Sequence, residues 1–203
     1  MNYVDLTFKI EQGMPYFKGD PKPEINQFKS IKKDGYNLKE IHMGTHTGTH
    51  IDAPAHFIEG GRTIDSYDPL YFSGFGTAVE YEPGRLELSG KKYDFVYLYT
   101  GYNRDWEKKG IFKDFTYIDK DDAEKLKDAK IKFVGIDSPS AEAEGQLDFP
   151  THHTLLGAGI PIIENLNSRE LEKLLGKVFF TIAIPIPIGD GDGAPARVIA
   201  IEV

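Results

Sequence analysis

His46-Thr47-Gly48-Thr49-His50-Ile51-Asp52-Ala53-Pro54-Ala55-His56 is the segment that sets this chain apart. Together with His42 it gathers four of the six histidines into fifteen residues, about 7% of the sequence. One such histidine alone would read as a hydrogen-bonded surface side chain, but a cluster of this density does not. Gly44 and Gly48 loosen the backbone, and Pro54 blocks a helix through Ala53. Neither a plain helix nor a plain strand is expected here. A neutral imidazole binds metal near pH 7, and a carboxylate can bridge two cations while offsetting their charge. His46, His50 and Asp52 therefore suit one metal, with Asp52 free to share a second. The helical His-Glu-x-x-His pattern is absent, because Thr47 and Gly48 follow His46. The general base must then lie elsewhere, and His56, beyond Pro54, can take a proton from a metal-activated water and return it to a leaving amine.

The rest of the chain says what kind of protein carries this segment. Its 203 residues suffice for one domain with its own core, so a metal would serve chemistry rather than folding. Hydrophobic residues make up 40% and charged residues 28%, a globular balance rather than a disordered one. With no cysteine, thiolate nucleophiles, disulfides and sulfur-ligated metals are excluded, leaving His, carboxylate and water as ligands. A net charge of −8 without a Lys/Arg run argues against a nucleic-acid or anionic-membrane surface. The opening MNYVDLTFKI lacks the layout of a secretory leader, and no stretch approaches 18 apolar residues, so a soluble cytoplasmic protein is expected.

Runs rich in β-branched and aromatic residues at 4–10, 77–81, 95–100, 131–136, 160–163, 178–188 and 198–203 predict strands. Helices are predicted over 120–129, with Asp119 as N-cap, and over 169–175, between Ser168 and Gly176. A shorter helical turn is expected at 152–156. This balance points to a single strand-rich α/β domain with mixed sheets and few helices. The Gly189-Asp190-Gly191-Asp192-Gly193 run lacks both a phosphate-loop and an EF-hand spacing and reads as a flexible turn between the last two strands. Ser138, Ser140 and Thr154 have no nucleophile-elbow context.

The pattern His-x-Gly-Thr-His-x-Asp-x-Pro-x-His, with its seven fixed positions, resembles the signature of the cyclase-like metal-dependent hydrolases, the family of bacterial kynurenine formamidase (arylformamidase) and isatin hydrolase. The resemblance spans nearly the whole chain. Asp5-Leu6-Thr7, Met14-Pro15 and Gly19-Asp20-Pro21 look like the family's opening, and Phe57-Ile58-Glu59-Gly60-Gly61 continues its central motif. His152 with Leu155-Leu156, and Ile162-Ile163-Glu164-Asn165-Leu166, look like its second metal-binding segment. By this resemblance His46, His50 and Asp52 bind one metal, Asp52 bridges to a second held also by His152 and Glu164, and His56 is the acid/base. His153 competes with His152, but register against Leu155-Leu156 and Glu164 favours His152. His42 stands outside the motif as a strand-face histidine or a partner that orients a ligand carboxylate.

The resemblance also implies a swivelling β/β/α architecture, a small-molecule substrate and a homodimer or homotetramer with residues 14–17 near the interface. Two divalent ions per chain are expected, Zn²⁺ first and Mn²⁺ also compatible, since a donor set without sulfur does not separate them. The expected chemistry is hydrolysis of an amide-type C–N bond in an aryl formamide or small cyclic amide. A lactone hydrolase or cyclase on the same fold, or a non-catalytic metal-binding protein, are the rivals. Lys18 and Phe17 depart from the family's usual Pro and Trp or Tyr, and Asp137-Ser138-Pro139-Ser140 lacks the continuation of a dedicated kynurenine formamidase. The hydrolytic residues are thus complete while the substrate pocket differs.

Overall fold

Phe95-Val96-Tyr97-Leu98-Tyr99 contains no charged residue, so a strand built from it has to be covered on both faces. The computed structural model describes residues 2–202 except 89, 91 and 109, and it shows how this covering is achieved. The run forms a strand whose side chains divide by twos. Phe95, Tyr97 and Tyr99 join an inner cluster with Phe72, Phe133 and Phe179. Val96 and Leu98 turn the other way, toward Ile118, Leu126, Leu155 and Ile162.

In chain order the strands are β1 (Tyr3–Asp5), β2 (Glu24–Lys29), β3 (Leu38–His42), β4 (His50–Asp52), β5 (Ser73–Glu80), β6 (Phe95–Tyr99), β7 (Phe133–Ile136), β8 (Ile162–Glu164), β9 (Val178–Pro185) and β10 (Gly193–Glu202). The helices are α1 (Ile31–Asp34), α2 (Lys120–Asp128), α3 (Pro150–Gly157) and α4 (Ser168–Leu171). Eight strands form one mixed sheet in the order β1-β10-β4-β8-β7-β6-β5-β9, and a further β10–β9 pairing closes it into a barrel-like ring. β5 through β8 run parallel, and the other pairings are antiparallel. This is a strand-rich α/β fold with few helices. Among the described residues no helix is long and apolar enough to cross a membrane.

α2 and α3 lie over the outer face of the parallel strands. Asp119 caps α2 by accepting a hydrogen bond from the Asp121 N–H at 2.9 Å, and Ala123 and Leu126 carry its buried side. The helix expected at 169–175 divides into α4, capped by Asn167, and a 3-10 turn at Glu172–Leu174. Ser168, expected to stand outside as a bracket, is instead buried and donates to Asp137. The strand expected at 4–10 is shorter, β1 alone, and the one at 178–188 ends at Pro185. The end of the strand expected at 198–203, Val203, lies outside the described residues. β2 and β3 form a separate two-stranded ribbon without a sequence counterpart in the expectations, and His42 sits exposed at its end.

Candidate metal centre

The motif segment enters the barrel as a bend, becomes β4 for three residues, and leaves in a 3-10 turn at Pro54–His56. Local sequence did not predict this strand, because what makes it a strand is distant: β4 pairs with β8 on one side and with β10 on the other. In a strand, residues two apart share a face. Ile51 accordingly points into the inner core, while His50 and Asp52 project together to the other side. The β4–β8 register sets His50 directly opposite Glu164. His152 reaches the same point from α3, 3% exposed, whereas His153 faces solvent.

The result is a buried knot of donors without enough protons. His50 Nε2 lies 3.2 Å from Asp52 Oδ1 and 3.4 Å from Glu164 Oε2. His152 Nε2 lies 3.7 Å from Asp52 Oδ2 and 3.5 Å from Glu164 Oε1. His46 Nδ1 is 2.7 Å from Asp52 Oδ1. The far nitrogens are engaged as well. A carbonyl can only accept, so His50 Nδ1–H donates to the Gly48 carbonyl at 2.8 Å. In the neutral ring the Nε2 lone pair then faces two carboxylates, and both His50 Nε2 and Asp52 Oδ2 are buried with no hydrogen-bond partner. Orphaned buried acceptors of this kind are costly. A cation resolves them, and the donor set of imidazoles and carboxylates suits Zn²⁺ or Mn²⁺.

Protonation shows the same demand. Burial is the largest influence on each histidine and disfavours its cation. For His46 the Asp52 charge and hydrogen bonds to Asp192 and Asp52 outweigh burial and lift the pKa to about 9. For His50 the adjacent Asp52 and Glu164 lift it to about 10. His152 is raised well above its ordinary value by Asp52, Glu142 and Glu164 against burial. Burial would raise Asp52, yet His46 and the other two imidazoles hold it well below the ordinary carboxylate value. His56 differs. Burial lowers its pKa despite the Asp52 charge, which favours its neutral form.

Two donor sets among the described residues close to within 4.8 Å, His50–Asp52–Glu164 and His46–Asp52–His56. Four of the five expected ligands and His56 meet in these sets, with Asp52 common to both; His152 belongs to neither, its Nε2 lying 3.5 Å from Glu164 and 3.7 Å from Asp52. The grouping differs from the expected one. The β4–β8 register draws His50 toward Glu164, and the rings of His46 and His56 stack at 3.9 Å, which brings His56 into the set expected to contain His50.

Three contributors escaped the sequence analysis. Asp192, in the run 189–193, lies with Oδ2 3.0 Å from His46 Nε2 and 3.3 Å from His56 Nδ1. That run joins β9 to β10 as expected but is tied at both sides, Ala53 N–H donating to the Asp192 carbonyl and Ile64 N–H to the Gly191 carbonyl, each at 2.9 Å. Its two acids on a glycine-rich turn were visible in the sequence, but their partners are some 146 residues away. Glu142, 4% exposed, accepts hydrogen bonds from His152 Nδ1 and from the Thr151 and His152 N–H groups. No local pattern links it to His152. Asp20, whose pKa burial raises against the pull of the nearby histidines, borders the cavity over the centre. That cavity measures about 330 Å³ and has Phe17, Phe57, Phe112 and Phe149 among its walls.

A family model described as putative cyclase matches residues 4–143. The kynurenine formamidase of Geobacillus thermodenitrificans is 29% identical over 206 residues, covering 96% of this chain and 95% of that enzyme. An uncharacterized protein of Methanocaldococcus jannaschii is 34% identical over 203 residues, covering 99% of this chain and 100% of that protein. A solved structure described as a potential metal-dependent hydrolase with cyclase activity aligns at a TM-score of 0.80 and 31% identity, over 98% of this chain and 96% of the other. Isatin hydrolase A from Ralstonia solanacearum aligns at a TM-score of 0.80 over 100% and 92% of the two chains, and at 20% identity the likeness is one of fold.

Proposed function

The chain belongs to the putative cyclase family, and from that premise we propose that it is a one-domain, metal-dependent hydrolase that cleaves an amide-type C–N bond in an aryl formamide or a small cyclic amide. The observation that carries this is the pair of orphaned acceptors, His50 Nε2 and Asp52 Oδ2, buried beneath an aromatic-walled cavity. Its volume of about 330 Å³ is at the lower end for small-molecule sites, which suits a substrate of one or two rings. The kynurenine formamidase relative supports the amide chemistry.

In this reading His46, His50 and Asp52 hold one divalent ion and Asp52, His152 and Glu164 a second, either Zn²⁺ or Mn²⁺. Such ions supply Lewis acidity at a carbonyl oxygen and lower the pKa of water. The chain's own part is to place the acyl group, exclude bulk water and move one proton. Phe17, Phe57, Phe112 and Phe149 flank the substrate ring. His56, neutral because burial lowers its pKa, takes a proton from the attacking water and delivers it to the departing nitrogen. The water oxygen remains on the acyl carbon and the C–N bond breaks, which gives formic acid and an amine from an aryl formamide, or one ring-opened product carrying both the acid and the amine from a cyclic amide.

The test is a hydrolysis panel of aryl formamides, small cyclic amides and lactones, run with and without a chelator. Amide turnover that disappears with chelator and returns with Zn²⁺ or Mn²⁺ is expected. Turnover indifferent to chelator, or confined to lactones, would overturn the proposal.

A further inference from the structure

We propose that Asp192 is a positioning residue that sets the ring tautomers of His46 and His56 together, so that His46 offers Nδ1 to a metal and His56 offers Nε2 as the base. This rests on the metal-dependent reading above. An ionised carboxylate only accepts hydrogen bonds, so the 3.0 Å bond between His46 Nε2 and Asp192 Oδ2 places a proton on that nitrogen; His56 Nδ1 lies 3.3 Å from the same oxygen, an electrostatic contact that favours a proton there. A neutral imidazole carries one N–H, which leaves the opposite nitrogen as the lone-pair atom. On His46 that atom is Nδ1, joined by a proton to Asp52 Oδ1 at 2.7 Å, the proton that a metal shared with Asp52 would replace. On His56 it is Nε2.

The carboxylate is itself held in place. Thr45 Oγ1 donates to Oδ1 at 2.9 Å, which leaves Oδ2 for the two rings. The rings stack at 3.9 Å with 28° between their planes, an arrangement in which one oxygen can serve both. Gly193 permits the close approach of the loop, since a Cβ there would lie 2.7 Å from His46 Cε1. His50 and His152 have comparable anchors in the Gly48 carbonyl and Glu142, but each of those serves one ring. Asp192 serves two, and so ties the orientation of a ligand to that of the base. Partners of this kind orient ligand imidazoles and are worth 10–100-fold in metal affinity.

The test uses the full-length protein loaded with Zn²⁺. Nitrogen-15 NMR of the histidine rings should find His46 protonated at Nε2 and His56 at Nδ1. In Asp192→Ala the Nδ1 proton of His56 should be lost as the dominant form, and zinc affinity measured by chelator competition should fall about 10–100-fold. With any amide the wild type hydrolyses, kcat should fall while KM stays within about twofold, since a positioning group acts on the proton transfer. Asp192→Asn keeps a carbonyl acceptor for both rings and should recover most of the zinc affinity. If Asp192→Ala does not fold, Thr45→Val frees the same carboxylate and should lower zinc affinity by less than about tenfold. Wild-type affinity and unchanged tautomers in the folded variants would overturn the proposal. So would a His56 that bears no proton on Nδ1 in the wild type, because that nitrogen would then be free to act as a ligand. Affinity and tautomers are read without substrate: a protein that shows both effects yet cleaves no amide would refute the proposed function and leave the role of Asp192 standing.

Discussion

Replacing Glu142 tests how the second half of the centre is built. Its Oε2 accepts from Thr151 N–H at 3.1 Å, His152 N–H at 3.2 Å and His152 Nδ1 at 3.2 Å. Glu142→Ala strands three donors at a site 4% exposed. Each unsatisfied buried donor costs about 1–3 kcal/mol, which would sum to about 3–9 kcal/mol. Glu142 borders the cavity, so water can reach some of these groups, and the lower end applies. Losing a negative charge at the N-terminus of α3 adds about 0.5–1 kcal/mol. We therefore expect a loss of about 3–4 kcal/mol, which for a chain of this length lowers Tm by about 6–16 °C. Glu142→Gln retains an acceptor oxygen and should lose about 1–2 kcal/mol, the charge-assisted share. Urea unfolding of chelator-treated protein is the assay, because metal binding would otherwise add to apparent stability. A Glu142→Ala variant within about 0.5 kcal/mol of wild type, the usual range for an unimportant surface change, would refute the account of α3 and His152.

Other consequences follow from the same geometry. Asp52→Ala and His50→Ala should each lose most bound divalent ion, Asp52→Ala at least as severely because that carboxylate belongs to both donor sets; full metal content in both by elemental analysis would sink the ligand assignment. His56→Ala should keep metal and fold yet lose about 10²–10⁴-fold in turnover, whereas a variant that loses its metal would make His56 a ligand. We expect a homodimer or homotetramer, since the β2–β3 ribbon exposes Phe28, Leu38 and Ile41 and two-stranded ribbons are marginal alone; light scattering that finds only monomer at micromolar concentration would contradict this. Finally, burial opposes the charge of Asp122, but Lys125, Tyr81 and the Gly84 N–H hold its pKa below the ordinary 3.8. A depressed native pKa contributes stability above the unfolded value that is lost as pH falls through the native one. Asp122→Asn should therefore flatten the loss of stability below about pH 4, and an unchanged acid profile would show that Asp122 contributes nothing.

What the sequence revealed depended on how far apart the partners stand. Residues 46–56 are consecutive, so their donor chemistry was legible without any structure. The same holds for β6, whose uninterrupted apolar run already required cover on both faces. His152 and Glu164 were legible only through family resemblance, because what joins them to Asp52 is the β4–β8 register and the packing of α3. β4 itself escaped prediction, since three residues between a bend and Pro54 carry no periodicity and owe their conformation to strands more than a hundred residues away. Asp192 was in plain view and misjudged: a glycine-rich turn reads as slack until the Ala53 and Ile64 N–H groups are seen to fasten it.

β10 gives the centre a history as well as a shape. It follows every other described strand in the chain, pairs with β1, β4 and β9, and starts with Gly193 beside Asp52, 141 residues away in sequence. Closing a loop of that length before its contacts reward it slows folding. Until it happens, a nascent chain presents the histidines of residues 46–56 on an unfinished surface, without β10 beside β4 and without Asp192 against the rings. Closure of the barrel and completion of the donor cluster are thereby one event, since Asp192 reaches His46 only when β10 pairs with β4.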